Sequence, residues 1–178
     1  MSKTGAAEGF QPLELAVMTV SDTRSAADDT SGDFLVGAAT EAGHRLHSRC
    51  IVKDDIYQIR AQLSQWIAAS EVQAVLITGG TGFSGRDSTP EAISPLFDKR
   101  IDGFGELFRY FSLEDIGTST IQSRALAGFA NRTVIFAMPG STGACRLAWE
   151  KILREQLDSR TRPCNFYGVL DTLNNKRQ

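Results

Sequence analysis

Short apolar runs alternate with amphipathic stretches along most of the chain. The runs are rich in β-branched and other apolar residues, and their shortness is typical of strands buried within a sheet. They predict strands over residues 13–20, 44–52, 74–77 and 133–137. Consecutive runs are separated by enough residues for a helix to fit between them.

The stretches between the runs carry apolar residues at helical spacing. After Asp54 and Asp55, for example, Ile56, Ile59 and Leu63 recur at intervals of three and four residues. Most of these stretches begin at Ser, Thr or Asp, the residue types that cap helix amino termini. Helices are predicted over 31–43, from 54 or 55 to 67, over 89–97, as two segments within 103–128 that break near Gly117, and over 141–157. The segment 158–178 has no pattern that assigns an element.

This alternation predicts an α/β fold. Strands and helices at this spacing imply right-handed crossovers and a mostly parallel sheet with helices on both faces. Ligands of such folds bind beyond the carboxyl ends of the strands, which here selects the loops that begin at Ser21, Lys53, Thr78 and Met138. We predict a single domain over 13–170, with a flexible tail at 1–12 and a polar tail at 171–178.

Composition excludes several classes of protein. The 178 residues suit one domain, and a formal net charge of −2 without a basic stripe argues against nucleic-acid binding. No apolar run approaches the ~20 residues that cross a bilayer, and the first residues lack the apolar segment of a signal peptide. We therefore expect a cytoplasmic protein without a membrane partner. Its three cysteines, Cys50, Cys145 and Cys164, are interpreted as buried, reduced thiols.

A glycine-rich segment, residues 78–82, follows the third predicted strand and is called the glycine loop below. Residues 80–85 match the Gly-x-Gly-x-x-Gly pattern of dinucleotide-binding domains, but that pattern belongs on the first strand-to-helix turn. In addition, Asp87 would repel a pyrophosphate unless a cation lay between them. Glycines still let backbone N–H groups approach an anion, and Thr78 and Thr81 add hydroxyl donors. The glycine loop is thus either an anion-binding loop or a tight turn that requires positive φ.

Two carboxylates suit a divalent cation. Asp54 follows the second predicted strand and Asp87 follows the glycine loop, so adjacent strands would bring both to one edge of the sheet. Two carboxylates combined with substrate phosphates are the usual way in which proteins hold Mg²⁺. Each residue also has a simpler interpretation, because Asp54 and Asp87 both precede predicted helices and suit helix caps.

Other polar residues also have alternatives to a role in binding. The pair Ser123 and Arg124 either binds a phosphate or caps a helix. Ser141 and Thr142 either form an anion site at a helix amino terminus or only cap the helix. Glu106 and Arg109 lie one turn apart and are expected to form a surface ion pair. The two histidines of the second predicted strand have no third ligand nearby and are not expected to bind metal.

Several separated blocks, in order, resemble the MoaB/MogA family of molybdenum cofactor biosynthesis. They are residues 78–82 (TGGTG), 86–92 (RDSTPEA), 103–106 (GFGE) and 138–141 (MPGS). Four further segments resemble the MoaB branch in particular, namely 29–32 (DTSG), 116–120 (IGTST), 139–142 (PGST) and 162–165 (RPCN). The resemblance extends from about residue 13 to about residue 167 and is highly specific.

The resemblance implies a three-layer α/β/α domain that assembles into trimers, or into hexamers in the MoaB branch. It implies molybdopterin adenylyltransferase activity, in which molybdopterin and Mg-ATP (or Mg-GTP) give nucleotidylated molybdopterin and pyrophosphate. Other enzymes of the molybdenum cofactor pathway would be partners. Asp54 and Asp87 would serve Mg²⁺ binding and catalysis. The ligand and its phosphates would be bound by Ser21, Asp22, Thr78, Gly79, Gly80, Thr81, Gly82, Thr89, Glu106, Ser123, Pro139, Gly140 and Ser141.

One segment departs from the family pattern. Active MogA-type members continue Pro-Gly with Ser/Gln-Pro-Lys, whereas residues 141–144 are Ser-Thr-Gly-Ala. The alternative hypothesis is therefore a carrier or scaffold that binds molybdopterin or a nucleotide without catalysis. The complete block 86–92 and both carboxylates favour the enzyme. A third hypothesis, a nucleotide-dependent oxidoreductase, predicts NAD(H) binding, which the context of the glycine loop argues against.

Overall fold

Six strands form one sheet in the computed structural model, which describes residues 9–175 of the chain. They are β1 (Glu14–Val20), β2 (Arg45–Val52), β3 (Ala74–Thr78), β4 (Lys99–Arg100), β5 (Leu126–Ala130) and β6 (Thr133–Met138). Their order across the sheet is β2-β1-β3-β6-β5-β4. Strands β2, β1, β3 and β6 run parallel, whereas β5 is antiparallel to β6 and β4 is antiparallel to β5. The predicted, mostly parallel sheet is confirmed.

Helices cover both faces of this sheet. They are α1 (Thr30–Glu41), α2 (Ile56–Ala68), α3 (Thr89–Ile93), α4 (Asp102–Ile116), α5 (Thr142–Ala148), α6 (Arg154–Leu157) and α7 (Phe166–Asn175). Short 3₁₀ segments span Ser94–Leu96 and Gly117–Gln122, and a π-helical turn, Trp149–Leu153, joins α5 to α6. Within residues 9–175, none of the helices has both the length and the apolar character required to cross a bilayer.

Two hydrophobic clusters lie on opposite faces of the sheet. Along β1, Leu15 and Val17 pack into the first cluster, whereas Ala16 and Met18 pack into the second. Side chains of a strand alternate between its faces, so a strand that is apolar at every position is buried on both. Helices α1, α4, α5 and α7 complete the first cluster, and α2 and α3 complete the second. The single-domain, three-layer α/β/α architecture is confirmed.

The segment 103–128 differs from the prediction of two helices. The first helix, α4, ends before Gly117 as expected, but a 3₁₀ segment and strand β5 follow in place of the second. Periodicity did not reveal the strand because Ala127 and Gly128 are weak strand formers. Gly128 is required there, since a β-carbon would lie 2.4 Å from a ring carbon of Phe97.

Ser31 and Thr89, the capping residue types at which two of the predicted helices begin, do not cap those helices. Helix α1 is capped by Asp29 and not by Ser31, because the carboxylate of Asp29 accepts a hydrogen bond from the first turn of the helix at 3.0 Å. Helix α3 begins at Thr89 without a side-chain cap. The Thr89 hydroxyl is engaged elsewhere, donating a hydrogen bond to the carbonyl of Gly79 at 2.9 Å.

Near the amino-terminal end the described residues contact the domain, and near the carboxyl-terminal end they extend its last helix. Of the predicted tails, residues 1–8 and 176–178 lie outside the described residues. The ring of Phe10 packs against that of His44, with centroids 5.1 Å apart. Helix α7 continues to Asn175, beyond the predicted start of the polar tail. The division into domain and tails stays a prediction.

All three cysteines are free thiols. Cys145 is buried and Cys50 is half-buried, and burial raises the pKa of each thiol to about 11. The interpretation of all three as buried is wrong for Cys164, which is exposed because it lies in the irregular segment between α6 and α7.

Candidate functional site

The carboxyl ends of the four parallel strands meet at one edge of the sheet. Thr19 of β1 pairs with Thr78 of β3, and Thr78 pairs with Met138 of β6. Val20 of β1 pairs with Val52 of β2. The loops that follow these strands therefore lie at one edge of the sheet, as the topology predicts, and ligand binding there stays a prediction.

Three of these loops, those after β1, β3 and β6, line a cleft with a volume of about 610 Å³, together with the end of α4 and the following 3₁₀ segment. That volume lies within the range of pockets that bind small molecules. The predicted site residues that line the cleft are Ser21, Thr78, Gly79, Gly80, Thr81, Gly82, Asp87, Ser123, Pro139, Gly140 and Ser141. The sequence analysis therefore identified most of one wall of this cleft.

Two residues of the glycine loop adopt a backbone conformation that only glycine reaches without strain. The φ angle is +103° at Gly79 and +63° at Gly80. A β-carbon at Gly79 would lie 2.2 Å from the carbonyl oxygen of Val20, and one at Gly80 would lie 2.6 Å from Oδ2 of Asp54. The tight-turn interpretation is confirmed. Anion binding stays a prediction, which the position of the loop in the cleft supports.

Two threonine hydroxyls hold the glycine loop in place. Oγ1 of Thr78 donates to the carbonyl of Pro139 at 3.2 Å, and Oγ1 of Thr89 donates to the carbonyl of Gly79 at 2.9 Å. Both threonines are fully buried. Their hydroxyls therefore fix the shape of the loop, and Thr89 lies behind the loop and does not line the cleft.

Asp54 lies directly against the glycine loop. Its neighbour Asp55 caps helix α2, so the alternative of Asp54 as the cap is wrong. Oδ1 of Asp54 accepts hydrogen bonds from the backbone N–H and the hydroxyl of Ser88, at 2.9 and 2.5 Å. Its Oδ2 is the oxygen that a β-carbon at Gly80 would meet. The carboxylate is thus oriented by α3 and directed at the loop.

Asp87 borders the other end of the glycine loop. Its Oδ2 accepts a hydrogen bond from the backbone N–H of Ser84 at 2.7 Å, and a β-carbon at Gly82 would lie 2.8 Å from the same oxygen. Burial raises the pKa of Asp87, but hydrogen bonds from Ser84 and Gly82 and the charge of Arg124 outweigh it and hold that pKa below its usual value. Asp87 is therefore an anion at neutral pH. It does not cap α3, contrary to the alternative interpretation.

The two carboxylates thus contact the same loop, Asp54 at Gly80 and Asp87 at Gly82. Two carboxylates are enough for Mg²⁺ when substrate phosphates supply further oxygen ligands. The described part of the chain contains no group of three or more His, Cys, Asp or Glu side chains suited to a metal. An ion at this position would therefore depend on oxygens of the bound ligand.

Arg124 anchors the glycine loop from the side of β5. Its Nε donates to the carbonyl of Gly82 at 2.8 Å, and its Nη2 donates to the carbonyl of Asp87 at 2.8 Å. Its Nη1 pairs with the carboxylate of Glu91, and the guanidinium lies 5.1 Å from the ring centroid of Phe83. Arg124 therefore fixes the loop and Asp87 together, a role that sequence spacing did not predict.

Three of the predicted ligand-binding residues do not line the cleft. Thr89 is one, as described above. Asp22 accepts hydrogen bonds from Nε and Nη2 of Arg86 at 2.9 and 2.8 Å, and these bonds hold the pKa of Asp22 below its usual value. Glu106 lies in a separate pocket of about 440 Å³ together with Arg109. The expected ion pair between Glu106 and Arg109 is wrong, because Arg109 donates to backbone carbonyls just before β5.

The sequence analysis missed several lining residues, namely Thr19, Arg24, Ile116, Ser119 and Gln122. Arg24 is the most important of these residues, because it adds a positive charge to a cleft that is predicted to bind phosphates. It follows β1 within a loop that the strand-end rule had already selected, so this rule was a sufficient signal. Thr19 and Val20, also missed, belong to β1 itself, whereas Ile116, Ser119 and Gln122 come from the end of α4 and the 3₁₀ segment, which no spacing argument connects to the strands.

Known proteins resemble the chain over nearly its whole length. Residues 16–159 match the family described as "Probable molybdopterin binding domain". The chain is 60% identical over 161 residues to Molybdenum cofactor biosynthesis protein B of Escherichia coli (strain K12), a match that covers 90% of this chain and 95% of that protein. It is 49% identical over 142 residues to the protein of the same name from Bacillus cereus, covering 79% of this chain and 84% of the relative.

Solved structures give the same result. A crystal structure of Molybdenum cofactor biosynthesis protein B has a TM-score of 0.83 and 43% sequence identity, and the match covers 94% of this chain and 98% of that one. The tungsten cofactor synthesizing protein MoaB from Pyrococcus furiosus has a TM-score of 0.75 and 33% identity, with coverage of 94% and 99%. The family match over residues 16–159 spans the loops that form the cleft.

Proposed function

The chain belongs to the molybdenum cofactor biosynthesis protein B (MoaB) branch of the molybdopterin-binding domain family, and we propose that its cleft transfers an adenylyl group from a nucleotide to molybdopterin. As a family member, the protein takes part in molybdenum cofactor biosynthesis. The proposed reaction converts molybdopterin and Mg-ATP into adenylylated molybdopterin and pyrophosphate. GTP is the alternative nucleotide.

One observation carries this proposal. Asp54 and Asp87 contact the same glycine loop, at Gly80 and Gly82, where the parallel strands end. Backbone N–H groups beside a pair of carboxylates suit a metal-bound polyphosphate, because the amides bind oxygens and the acids bind the metal. In this loop the N–H of Gly79 donates to the carbonyl of Met138 at 3.0 Å and that of Gly82 donates to Asp87, so Gly80 is the glycine whose N–H is left for a phosphate. A carrier for molybdopterin alone would need the amides but not the pair of carboxylates.

The donor set fits Mg²⁺ as the cofactor. Asp87 is an anion at neutral pH, since the hydrogen bonds that lower its pKa favour the charged form. Oδ2 of Asp54 faces the loop while Oδ1 is held by Ser88. When bound, Mg²⁺ would neutralise negative charge at the reacting phosphorus.

In the proposed reaction the main task of the protein is to position the attacking oxygen and the phosphates of the nucleotide. A phosphate oxygen of molybdopterin forms a bond to the α-phosphorus, and the bond from this phosphorus to the oxygen that bridges to the β-phosphate breaks. Pyrophosphate leaves with the electron pair of that bond. The attacking oxygen already carries charge at neutral pH, so no protein group has to remove a proton. The glycine loop, held by Thr89 and Arg124, keeps the phosphates in line, which supplies most of the rate enhancement in such reactions.

The test is incubation of the protein with molybdopterin, Mg²⁺ and ATP, followed by mass spectrometry of the product and a pyrophosphate assay. We expect one pyrophosphate for each adenylylated molybdopterin, and no release when either Mg²⁺ or molybdopterin is left out. The same assay with GTP decides the nucleotide.

A carrier or scaffold is the second candidate, and residues 141–144, which lack the lysine of MogA-type members, favour it. Under this hypothesis the folded protein binds molybdopterin but releases no pyrophosphate in any mixture. That outcome would replace the enzyme with the carrier. The expected partner enzymes of the pathway and the expected cytoplasmic location stay predictions.

We also propose that the protein is a homo-oligomer, a trimer or a hexamer. The support is an exposed apolar surface on α4 and the following 3₁₀ segment, formed by Leu107, Tyr110, Leu113, Ile116 and Ile121. Tyr110 is 61% exposed and Ile121 is 78% exposed, and such patches mark protein interfaces. Light scattering is expected to give three or six times the 19.4 kDa of one chain, and a monomer would contradict the proposal.

A further inference from the structure

Arg24 is the only cationic side chain that lines the cleft within the described residues. Its Nη2 donates to the carbonyl of Gly140 at 3.0 Å, and its Nη1 lies 3.4 Å from Oδ1 of Asp29 and donates to the hydroxyl of Ser31. Nε donates to no atom of the described residues, and the side chain is 29% exposed. The guanidinium is thus held in one orientation and keeps a free donor.

Asp29, which orients this guanidinium, is a fully buried carboxylate. Its Oδ2 accepts hydrogen bonds from the hydroxyl of Thr19 and from Nη2 of Arg49, both at 2.7 Å, and its Oδ1 accepts one from the N–H of Gly32 at 3.0 Å. Burial raises the pKa of Asp29, but the bonds from Arg49, Thr19 and Gly32 outweigh it, and the pKa lies below its usual value. Asp29 is therefore charged.

The charge of Arg24 is not needed to satisfy Asp29. Arg49 already neutralises this carboxylate at 2.7 Å, whereas the contact from Arg24 is longer, at 3.4 Å. Buried carboxylates require hydrogen bonds to both oxygens, and Thr19, Gly32 and Arg49 supply them. The positive charge of Arg24 at the surface of the cleft is therefore explained by a bound ligand and not by Asp29.

Arg24 and the two acids are held by different helices: Arg24 and Asp87 line the cleft, whereas Asp54 contacts the glycine loop without lining the cleft. The contacts of Arg24 lie at the start of α1 and on the segment leading to α5, both helices of the first hydrophobic cluster. Asp54 and Asp87 precede α2 and α3, the helices of the second cluster. Acids suit a metal-bound phosphate, whereas an arginine suits phosphoryl oxygens without a metal. The cleft therefore offers two different environments for phosphate.

We infer that Arg24 binds phosphoryl oxygens of the ligand directly, in a subsite separate from the two acids, and that Asp29 is the positioning residue of its guanidinium. The inference rests on the proposed function, because it requires a phosphorylated ligand in this cleft. The phosphoryl group belongs either to the nucleotide or to molybdopterin. The chemistry is the same for both, namely charge-assisted hydrogen bonds from a planar guanidinium.

Binding by titration calorimetry tests the inference. ATP and molybdopterin are each titrated, with Mg²⁺ and with EDTA, into the wild type, Arg24→Ala, Arg24→Lys and a control, Arg45→Ala. Arg24→Ala is expected to raise the Kd of at least one ligand by about 10- to 100-fold, equally with and without Mg²⁺, because the contact does not involve the metal. Arg24→Lys keeps the charge but loses the planar geometry, and a smaller loss is expected. Arg45 pairs with Glu14 at the opposite end of the strands and should leave each Kd unchanged.

The ligand whose Kd rises identifies the phosphate that Arg24 contacts. If Arg24→Ala and Arg45→Ala both bind both ligands as the wild type does, the inference is wrong while the proposed function stands. If the wild type binds neither ligand, the proposed function itself fails. Should Arg24→Ala not fold, Arg24→Lys decides, because wild-type affinity in that variant would overturn a direct contact.

The positioning role of Asp29 has its own readout. Asp29→Asn is expected to raise the same Kd as Arg24→Ala in the wild-type background, and to add nothing in a chain that already carries Arg24→Ala. A residue that acted only on stability would raise Kd by the same factor in both backgrounds. Equal factors in the two backgrounds would therefore contradict the positioning role.

Discussion

Asp87→Asn is expected to lower the rate of adenylyl transfer by about 10²- to 10³-fold. Asparagine has the same size and still accepts the hydrogen bond from Ser84, so the glycine loop keeps its shape. The variant loses the negative charge that suits Mg²⁺, and with it the stabilisation of charge at the α-phosphorus. The initial rate of pyrophosphate release at saturating molybdopterin and ATP, measured over a range of Mg²⁺ concentrations, gives the size of the effect.

Asp55→Asn is the matched control for this variant. Asp55 is the next residue after Asp54, but its carboxylate caps α2 by accepting hydrogen bonds from the N–H groups of Tyr57 and Gln58. Asparagine caps helices nearly as well as aspartate, so the control is expected to keep both stability and rate. If Asp87→Asn turned over as fast as Asp55→Asn, the acid at position 87 would have no part in the reaction.

The second large effect is expected for Gly79→Ala, which should lower the free energy of unfolding by about 3–5 kcal/mol. Gly79 has a φ of +103°, and a β-carbon there would lie 2.2 Å from the carbonyl oxygen of Val20. That oxygen belongs to the backbone of β1, so relief requires a shift of the strand itself and not of a flexible side chain. Urea unfolding monitored by circular dichroism measures the change, provided the slope of the transition stays constant.

Gly85→Ala is the control for this prediction. Gly85 lies close by, has no positive φ, and a β-carbon there would meet nothing within 4 Å. Its replacement is expected to change the free energy of unfolding by less than about 0.5 kcal/mol. A Gly79→Ala protein as stable as this control would mean that the glycine loop adopts another conformation in solution.

The central parallel strands β1, β3 and β6 were predictable from sequence because they are buried on both faces. Every residue of β3 and β6 is buried, which produces the continuous apolar runs on which the prediction rested. The antiparallel half was not predictable. Strand β4 has only two residues, both exposed, and β5 contains alanine and glycine, which are weak strand formers. At Gly128 a β-carbon would lie 2.4 Å from the ring of Phe97.

The part of the site that lies at the ends of strands, or that requires a special backbone conformation, was predictable from sequence. Ser21, Asp54, the glycine loop and Ser141 all lie directly behind parallel strands, so one topological rule brought them together. The strand-end rule had selected the loop that contains Arg24, but the roles of Arg24 and Arg124 were not predicted because they depend on contacts between distant segments. Arg24 reaches a carbonyl 116 residues away, and Arg124 reaches one 42 residues away. Local patterns carry no information on such contacts.

The reversed direction of β5 has a consequence for how the cleft is assembled. At this edge of the sheet a parallel strand has its carboxyl end, but an antiparallel strand has its amino end. Accordingly, Leu126 at the start of β5 pairs with Ala137 near the end of β6. The chain therefore arrives at the cleft just before β5 begins, which delivers Ser123 and Arg124 to the glycine loop. Had β5 run the other way, its five residues would separate them from the loop by about 16 Å. Because β5 is antiparallel to β6, Arg124 lies beside the glycine loop, whereas a parallel β5 would have placed it at the opposite edge of the sheet.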